Sequence, residues 1–301
     1  MLDYLKLIYY LVKPKSLFLR RFSNALGDNV LLSSLLPEMR AKWPNHKIIV
    51  ETPLPELFWN NPYVDWVTSK HIKTTQRHIK PKYWVIEGNE PPFTVQMKKH
   101  IGLKGRSEPK LFLTEKEKKE AQNRYPFSYI TISPAGKTSF SANRKEWGFQ
   151  NFIKLVNLLE GYRFVQIGME DDPLLPDVID ARSLSIREMA AVISNSILFI
   201  GLEGGLMHLA KSVGTASVII FGGYIRPTTS GYLNNLNFYS PVFCSPCYSS
   251  ETASSDCPVM ICMKQIHPEK VCRGIGKYLD KISGNNEIKA LSSSYSSKMK
   301  A

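Results

Sequence analysis

The sequence predicts an α/β protein with parallel sheets, and two observations support that prediction. Short apolar runs bounded by turn residues alternate with segments of helical apolar spacing along most of the 301 residues. In addition, the stretch from Ser194 to Gly223 places Gly204 and Gly205 between a predicted strand and a predicted helix. Such alternation is typical of parallel sheets with helices packed on their faces.

The elements follow one another in a regular order. In the first half, β-branched and aromatic runs predict strands at 16–22, 46–52, 65–69 and 83–87, and apolar spacing predicts helices at 29–43 and 55–61. In the second half, the predicted strands are 129–134, 163–168, 198–202 and 217–222, and the predicted helices are 151–161 and 185–194. Between the halves, residues 114–124 carry charges of alternating sign, which is typical of a solvated helix face.

The chain is long enough for two domains that each bury a core. We expect a first domain at 1–126, a second at 127–283 that includes a cysteine-rich loop at 240–266, and a disordered Ser-rich tail at 284–301. Two doubly wound domains that face each other would bind ligands in the cleft at the carboxyl ends of their strands.

The net charge of +13 predicts an anionic partner. Seventeen Lys/Arg and six Asp/Glu lie between Lys70 and Lys145. Nucleic acid is not expected, because no nucleic-acid recognition motif accompanies the charge. The apolar segment 1–15 starts with an acidic residue and lacks a small-residue cleavage site, which favours a cytoplasmic protein over a secreted one. Its lysines leave open a peripheral attachment to a membrane surface.

The glycine pair predicts a phosphate site. Glycines let the backbone approach a ligand closely, and the free N–H groups and dipole of the following helix favour an anion. Glu203 and His208 flank this turn and are candidates to contact the same ligand. For His208, a core histidine bonded to a backbone carbonyl is an equally good interpretation.

A second motif places Asp28 directly after the first predicted strand, at the start of the first helix. An isolated aspartate there is most often a helix N-cap. In the expected fold, however, Asp28 would also point into the cleft opposite Gly204, where a carboxylate can act as a general base.

Four motifs in order resemble those of glycosyltransferase family 9, the ADP-heptose:lipopolysaccharide heptosyltransferases. They are ALGD at 25–28, NPYVD at 61–65, LSIREMAAVIS from Leu184, and GLEGGLMHLAKSVGT at 201–215. The resemblance implies a GT-B fold, in which two Rossmann-like domains face each other across a cleft. It also implies an inverting transfer from a nucleoside-diphosphate sugar, most simply ADP-heptose, without a catalytic metal.

The resemblance also assigns roles to individual residues. Asp28 matches the aspartate thought to deprotonate the acceptor, and Glu203 and Gly204 depart from the family's usual Asp and Thr or Ser, which leaves open another sugar. Lys137 and Arg144 are nearby substitutes for the diphosphate-binding lysine. The donor-contacting positions implied by the resemblance are Ser133, Ala135, Gly136, Lys145, Glu203, Gly204, Gly205 and His208.

Four cysteines form a C-x2-C and C-x4-C pattern at Cys244, Cys247, Cys257 and Cys262, with Cys272 further on. Paired thiolates of this spacing suit a structural zinc or iron ion, and free thiols are the alternative. Some heptosyltransferase-like proteins, including protein-modifying ones with bound iron, have a similar loop before an ending like CMKQIHPEKV from Cys262.

The sequence therefore predicts a glycosyltransferase that moves a heptose or related sugar to an anionic glycan or glycolipid, such as lipopolysaccharide core or another surface polysaccharide. It would be cytoplasmic or peripheral at the inner membrane, as a monomer or an oligomer. A protein-modifying enzyme and a non-catalytic binder of nucleotide-sugar or anionic polymer are the alternatives.

Overall fold

The structure is a computed structural model that describes residues 15–20, 23–85, 90–105, 107–136, 141–248 and 255–282. The predictions for the apolar segment before residue 15, for Lys137 and for the tail at 284–301 lie outside these residues.

The first sheet is parallel and lies early in the chain. In the described residues it has four strands in the order β3-β2-β1-β4, and β1 pairs with both β2 and β4. Its strands are β1 (Ser16–Arg20), β2 (Lys47–Glu51), β3 (Trp66–Thr68) and β4 (Arg77–Ile79). Its helices are α1 (Leu26–Leu32), α2 (Leu36–Lys42) and α3 (Phe93–His100), with 3-10 turns at Ser33–Leu35 and Pro55–Phe58.

The second sheet is also parallel, and its described strands run in the order β7-β6-β5-β8-β9-β10. This is the doubly wound order of a Rossmann-like fold, with a switch point between β5 and β8. The strands are β5 (Ile130–Ile132), β6 (Phe164–Gln166), β7 (Ile179–Asp180), β8 (Leu198–Leu202), β9 (Ser217–Gly222) and β10 (Leu236–Tyr239). The helices are α4 (Glu115–Arg124), α5 (Phe149–Leu158), α6 (Ile186–Ser194), α7 (Gly205–Ser212), α8 (Pro227–Ser230), α9 (Ile261–Lys264) and α10 (Pro268–Ile282).

Alternate residues of the central strands enter two different cores. Leu198 and Ile200 of β8 pack in one core with α10, whereas Phe199 packs in another core that also contains Leu17 and Leu19 of the first sheet. Side chains on a strand alternate between its faces, so both faces of the second sheet are covered. The core that includes Leu17 thus joins the two sheets and their helices.

One strand prediction in the first half was wrong. Residues 83–85 of the predicted strand 83–87 are irregular, and the strand beside β1 is instead Arg77–Ile79.

None of the described helices is long and apolar enough to cross a membrane. The charged segment 114–124 forms α4 as predicted, with Thr114 and Glu117 closing a capping box at its N-terminus.

Candidate active site

The loop after β1 carries Asp28. Because α1 begins at Leu26, Asp28 lies in its first turn, and Ala25 occupies the N-cap position without a side-chain cap hydrogen bond. The N-cap interpretation of Asp28 is therefore wrong. The Asp28 carboxylate is half-buried, and its Oδ1 accepts a hydrogen bond from the Tyr83 hydroxyl.

A buried amide fixes the shape of this loop. Asn29 is fully buried, and its Nδ2 donates to the carbonyl oxygens of Ser23 at 2.6 Å and Ala25 at 2.9 Å. Its Oδ1 accepts a hydrogen bond from Thr52 Oγ1 at 2.5 Å, just beyond β2. Buried polar groups of this kind hold a loop in one conformation when all their partners are present. Sequence analysis missed Asn29, although its polarity inside an apolar helical pattern was a usable signal.

The glycine turn forms between β8 and α7, as the sequence predicts. Gly204 is the N-cap of α7 with φ +155° and ψ −159°, a conformation that side chains rarely adopt. A methyl group placed on Gly204 would have no heavy atom within 4 Å. The turn therefore presents backbone to open space at the N-terminus of a helix, which is the geometry that favours a bound anion.

The Asp28 loop and the glycine turn lie against each other. A methyl group on Gly27 would be 2.8 Å from His208 Cδ2 and 3.4 Å from Gly205 Cα. One on Gly205 would be 3.0 Å from Leu26 Cβ and 3.2 Å from the Gly27 nitrogen. The N-termini of α1 and α7 thus meet where the two sheets face each other, and the absence of side chains at Gly27 and Gly205 permits the contact.

A buried ion pair lies next to this contact. The Lys145 ammonium pairs with Oε2 of Glu203, and Ser230 Oγ donates to Oε1 of Glu203 at 2.9 Å. Burial would raise the pKa of Glu203, but the charge and hydrogen bond of Lys145 outweigh it and lower the pKa below its usual range. The Lys145 ammonium also lies 5.4 Å from the centroid of the Tyr224 ring. The structure therefore places a lysine beside the glycine turn, as the sequence predicts, and adds Ser230, which sequence analysis missed.

His208 of α7 is buried where the Asp28 loop meets the glycine turn. Its Nδ1 lies 2.7 Å from the Tyr232 hydroxyl, so its partner is a side chain and not a backbone carbonyl. Burial lowers the pKa of His208 to about 4, and Lys145 also lowers it, whereas Glu203 and Asp28 act in the opposite direction. His208 is therefore neutral at neutral pH. It lies against Gly27 of α1, at the place where α1 and α7 meet.

The remaining donor candidates follow β5, next to the switch point. Ser133 is buried and its backbone N–H donates to the Ile200 carbonyl at 2.9 Å, while Ala135 and Gly136 are half-buried. A methyl group on Gly136 would lie 3.3 Å from Leu202 Cδ1 at the end of β8. These residues thus line the crevice at the carboxyl ends of β5 and β8, where doubly wound sheets bind ligands.

Arg144 and Asn143 are tied to the cysteine-rich loop. Arg144 Nε donates to the Ser255 carbonyl at 2.9 Å, and Asn143 exchanges hydrogen bonds with the backbone of Cys257 at 3.1 and 2.8 Å. Arg144 also lies 3.8 Å from Cys247 Sγ. Arg144, the proposed substitute for the phosphate-binding lysine, is therefore held by the cysteine-rich loop. Lys145, next to it, instead pairs with Glu203 beside the glycine turn.

The four cysteines are not arranged as a metal site. Over the ranges that the structure covers, no three His, Cys, Asp or Glu side chains are grouped so that they could hold a metal ion. Cys244 is exposed, Cys262 is buried against the second core, and Cys257 Sγ accepts from the Met260 N–H at 3.4 Å. The described residues therefore do not show the predicted zinc or iron site, which stays a prediction from the cysteine spacing.

A separate cleft of about 550 Å³ lies at the other end of α7. Its lining includes Lys110, Lys211, Ser212 and Gly214. Because Gly214 follows the C-terminus of α7 and Gly204 precedes its N-terminus, this cleft does not belong to the crevice that holds Asp28 and the glycine turn.

Comparison with known proteins connects this geometry to one class. The sequence model of glycosyltransferase family 9 (heptosyltransferase) matches residues 175–257. No curated protein gives a significant sequence match. Among solved structures, a family 9 glycosyltransferase from Veillonella parvula is 16% identical, covers 90% of this chain and 98% of its own, and has a TM-score of 0.69.

Two Escherichia coli proteins are similarly close in fold. ADP-heptose lipopolysaccharide heptosyltransferase II is 15% identical with a TM-score of 0.68, and the match covers 90% of this chain and 100% of that one. The iron-containing dodecameric glycosyltransferase TibC, from an enterotoxigenic strain, is 16% identical with a TM-score of 0.70, covering 90% and 78%. TibC has also been solved in complex with ADP-D-β-D-heptose.

The shared fold is the GT-B architecture, and the family match over residues 175–257 supports a glycosyltransferase. Within that class, the chain resembles glycosyltransferase family 9, the heptosyltransferases, as its four sequence motifs predict.

Proposed function

We propose that this protein is an inverting glycosyltransferase that moves a heptose or a related sugar from a nucleoside-diphosphate donor to a glycan or glycolipid. The observation that supports the proposal is the contact between the Asp28 loop and the glycine turn. Each follows a strand at the switch point of its own sheet, β1 in the first and β8 in the second. The proposed base and the proposed phosphate site would therefore share one crevice. ADP-heptose is the proposed donor because TibC binds ADP-D-β-D-heptose.

In the proposed reaction, the Asp28 carboxylate takes the proton of an acceptor hydroxyl as that oxygen attacks the anomeric carbon. The bond from the anomeric carbon to the donor phosphate oxygen breaks, and the nucleoside diphosphate leaves with the electron pair. Attack from the face opposite the leaving group inverts the anomeric centre.

Negative charge grows on the leaving phosphate, and the second sheet offers groups that would stabilise it. They are the Lys145 ammonium and the backbone N–H groups at the start of α7, after Gly204. Without donor, Lys145 is held by Glu203, so a diphosphate would compete with that carboxylate for the lysine. Ser133, Ala135 and Gly136 line the same crevice and would contact the donor.

A basic loop supports an anionic acceptor. Lys70, His71 and Lys73 are exposed on the loop after β3, and Ile72 between them is buried. The Ile72 carbonyl accepts from Arg20, and its N–H donates to Glu51 at 2.9 Å. Arg20 and Glu51 end β1 and β2 and form a buried ion pair. This pair therefore fixes the basic loop at the carboxyl edge of the first sheet, the same edge from which Asp28 projects.

Two finer assignments belong to the same proposal. Lipopolysaccharide core or another surface polysaccharide is the proposed acceptor, handled in the cytoplasm or at the inner membrane, and a protein acceptor is the alternative. The cysteine-rich loop keeps the alternative open, because protein-modifying heptosyltransferase-like proteins have a similar loop. A structural zinc or iron ion at the four cysteines stays a prediction from their C-x2-C and C-x4-C spacing.

The proposal is tested first by donor binding and then by transfer. ADP-heptose should raise the melting temperature of the purified protein more than GDP- or UDP-sugars, because a ligand that binds only the native state stabilises it. With ADP-heptose and heptose-free lipopolysaccharide, Asp28→Asn should lower kcat by about 10²- to 10⁴-fold. The donor KM should change little, since Lys145 and the glycine turn are intact.

Asp280→Asn, an exposed change on α10, which packs in the core that does not include the first sheet, is the matched control and should retain full activity. Full activity of Asp28→Asn would contradict its role as the base. Donor binding without transfer to lipopolysaccharide, to protein or to water in the wild type would favour the non-catalytic alternative.

A further inference from the structure

The residue that meets Asp28 comes from a distant part of the chain. Tyr83 lies a few residues after β4, whereas Asp28 lies in the first turn of α1, the helix that follows β1. In the order β3-β2-β1-β4, the chain leaves β1 towards β2 on one side and later returns on the other side as β4. The loops that follow β1 and β4 therefore diverge at the switch point of the first sheet, where doubly wound folds form their ligand crevice.

We propose that Tyr83 is a positioning residue that holds the Asp28 carboxylate in the orientation needed to receive the acceptor proton. The inference rests on the proposed function, because it assigns a role to Tyr83 through Asp28. It extends that function to a side chain for which the sequence motifs of the family resemblance give no role.

The contact is direct, and the tyrosine is itself held in place. The Tyr83 hydroxyl donates to Asp28 Oδ1. Its ring stacks on Phe93 with centroids 4.2 Å apart and planes inclined by 25°. Phe93 is buried at the start of α3, and the backbone N–H of Trp84 donates to Gln96 Oε1 at 3.0 Å on the same helix. The phenol is thus anchored on α3 while its hydroxyl reaches α1.

This arrangement has a chemical consequence for a general base. A hydroxyl that donates to a carboxylate stabilises the ionised form and restricts its rotation. An aspartate must be ionised to accept a proton, and its oxygen must point at the acceptor hydroxyl. Tyr83 would supply both conditions, because its hydroxyl donates to Asp28 Oδ1.

The competing explanation is that Tyr83 only packs against Phe93. The two roles separate in Tyr83→Phe, which keeps the stacked ring and removes only the hydroxyl. Tyr278→Phe is the matched control, because it also removes a single tyrosine hydroxyl. The Tyr278 hydroxyl lies on the far side of the second sheet and donates to the Asn234 carbonyl at 2.6 Å.

The first measurement is the titration of the Asp28 carboxyl by carbon-13 NMR, assigned with Asp28→Asn, in wild type, Tyr83→Phe and Tyr278→Phe. We expect Tyr83→Phe to move the Asp28 titration to higher pH and Tyr278→Phe to leave it unchanged. An unchanged titration in Tyr83→Phe would overturn the inference. This measurement needs no substrate, so it decides on Tyr83 even if the proposed transfer reaction is wrong.

The second measurement is transfer from ADP-heptose to heptose-free lipopolysaccharide. Tyr83→Phe should lower kcat by about 10-fold with the donor KM unchanged, and the acid limb of the pH profile should move to higher pH. Combined with Asp28→Asn it should cause no further loss, because two residues that act as one unit are not additive. Additive losses, or a loss confined to KM, would contradict the positioning role. Loss of activity in Asp28→Asn but not in Tyr83→Phe would leave the proposed function intact and refute this inference alone.

Discussion

Gly204 and Gly214 stand at opposite ends of α7 in comparable steric surroundings. Both have positive φ, +155° and +82°, and a methyl group on either would meet no heavy atom within 4 Å. A side chain at these positions is therefore opposed by backbone conformation and not by crowding. Gly204 alone lies in the crevice with Asp28, so the pair separates a structural requirement for glycine from a functional one.

Gly204→Ala and Gly214→Ala should each lower the free energy of unfolding by about 1 to 3 kcal/mol, since both force alanine into a disfavoured conformation. Only Gly204→Ala should also weaken ADP binding, because it displaces the N–H groups proposed to hold the diphosphate. Urea unfolding and calorimetric titration with ADP measure the two effects. Equal ADP affinities in the two variants would argue against a phosphate site at the glycine turn.

Residues whose partners are close in sequence could be predicted, and those with distant partners could not. The glycine turn could be predicted because the strand, the two glycines and the helix that form it are contiguous in the sequence. Tyr83 was assigned to a strand, since nothing near it in sequence indicates that it meets Asp28, 55 positions earlier. The partner of Asn29 is likewise on another element, at Thr52.

At the scale of elements, Arg187 of α6 joins the second sheet to the rest of the molecule. It is buried, and it donates to the carbonyl oxygens of Glu56 at 2.8 Å and Phe112 at 2.9 Å. It also pairs with Glu117 in the capping box of α4. The hydrogen bond from Arg187 lowers the pKa of Glu117 to about 2, although burial opposes it. One arginine thus holds three segments around α6.

This pair predicts an acid-sensitive contribution to stability. The pKa of Glu117 is about 2 in the folded protein and near 4.5 when unfolded, so the contribution is complete above about pH 4.5 and is lost as the pH falls towards 2. Allowing for solvent screening, we expect roughly 1 to 2 kcal/mol. Urea unfolding between pH 2.5 and pH 6 should show a shallower pH dependence for Glu117→Gln than for wild type.

Glu120→Gln is the matched control, since Glu120 is on the same helix but exposed, with Lys116 3.8 Å away. Its pH dependence should equal that of wild type. A Glu117→Gln curve parallel to the wild-type curve would mean that the Arg187 contacts do not depend on the Glu117 charge.

Strands with an apolar pattern were predicted well even where they have only three residues, as in β3, β5 and β6, but the 15-residue helix α10 was not predicted. The strands at 198–202 and 217–222 and the helix at 185–194 agree with β8, β9 and α6, because each has many apolar positions with one period. The three-residue strand β4 has the sequence RHI, which lacks an apolar pattern. It forms because β1 offers a free edge for pairing, and that is a tertiary effect.

At the scale of the whole molecule, the crevice is narrow where the two sheets meet. Gly27 and Gly205 set its width there, because each lacks the side chain that would hold α1 and α7 apart. Attack on a donor by an acceptor needs reacting atoms about 3 Å apart, so this close approach suits a reaction that joins ligands from both sheets.

A graded series at Gly27 tests that requirement. Gly27→Ala and Gly27→Val should lower transfer progressively, because a methyl already lies 2.8 Å from His208 Cδ2 and a larger group must push the helices apart. Affinity for ADP should stay within about 3-fold, since the donor groups lie on the second sheet. Transfer assays, ADP titration and urea unfolding of each variant separate these effects. Undiminished transfer in Gly27→Val would show that the contact is dispensable.

The core shared by the two sheets would hold the two halves of the chain together even if the backbone between them were cut. Leu17 and Leu19 pack in the same core as Phe199 and Phe221, and Ser107 is hydrogen-bonded to Glu38 across the connecting segment. A backbone cut at the exposed Lys104 would remove none of these contacts. The halves would be held together as a noncovalent complex, and because their association would then be bimolecular, its stability would depend on protein concentration.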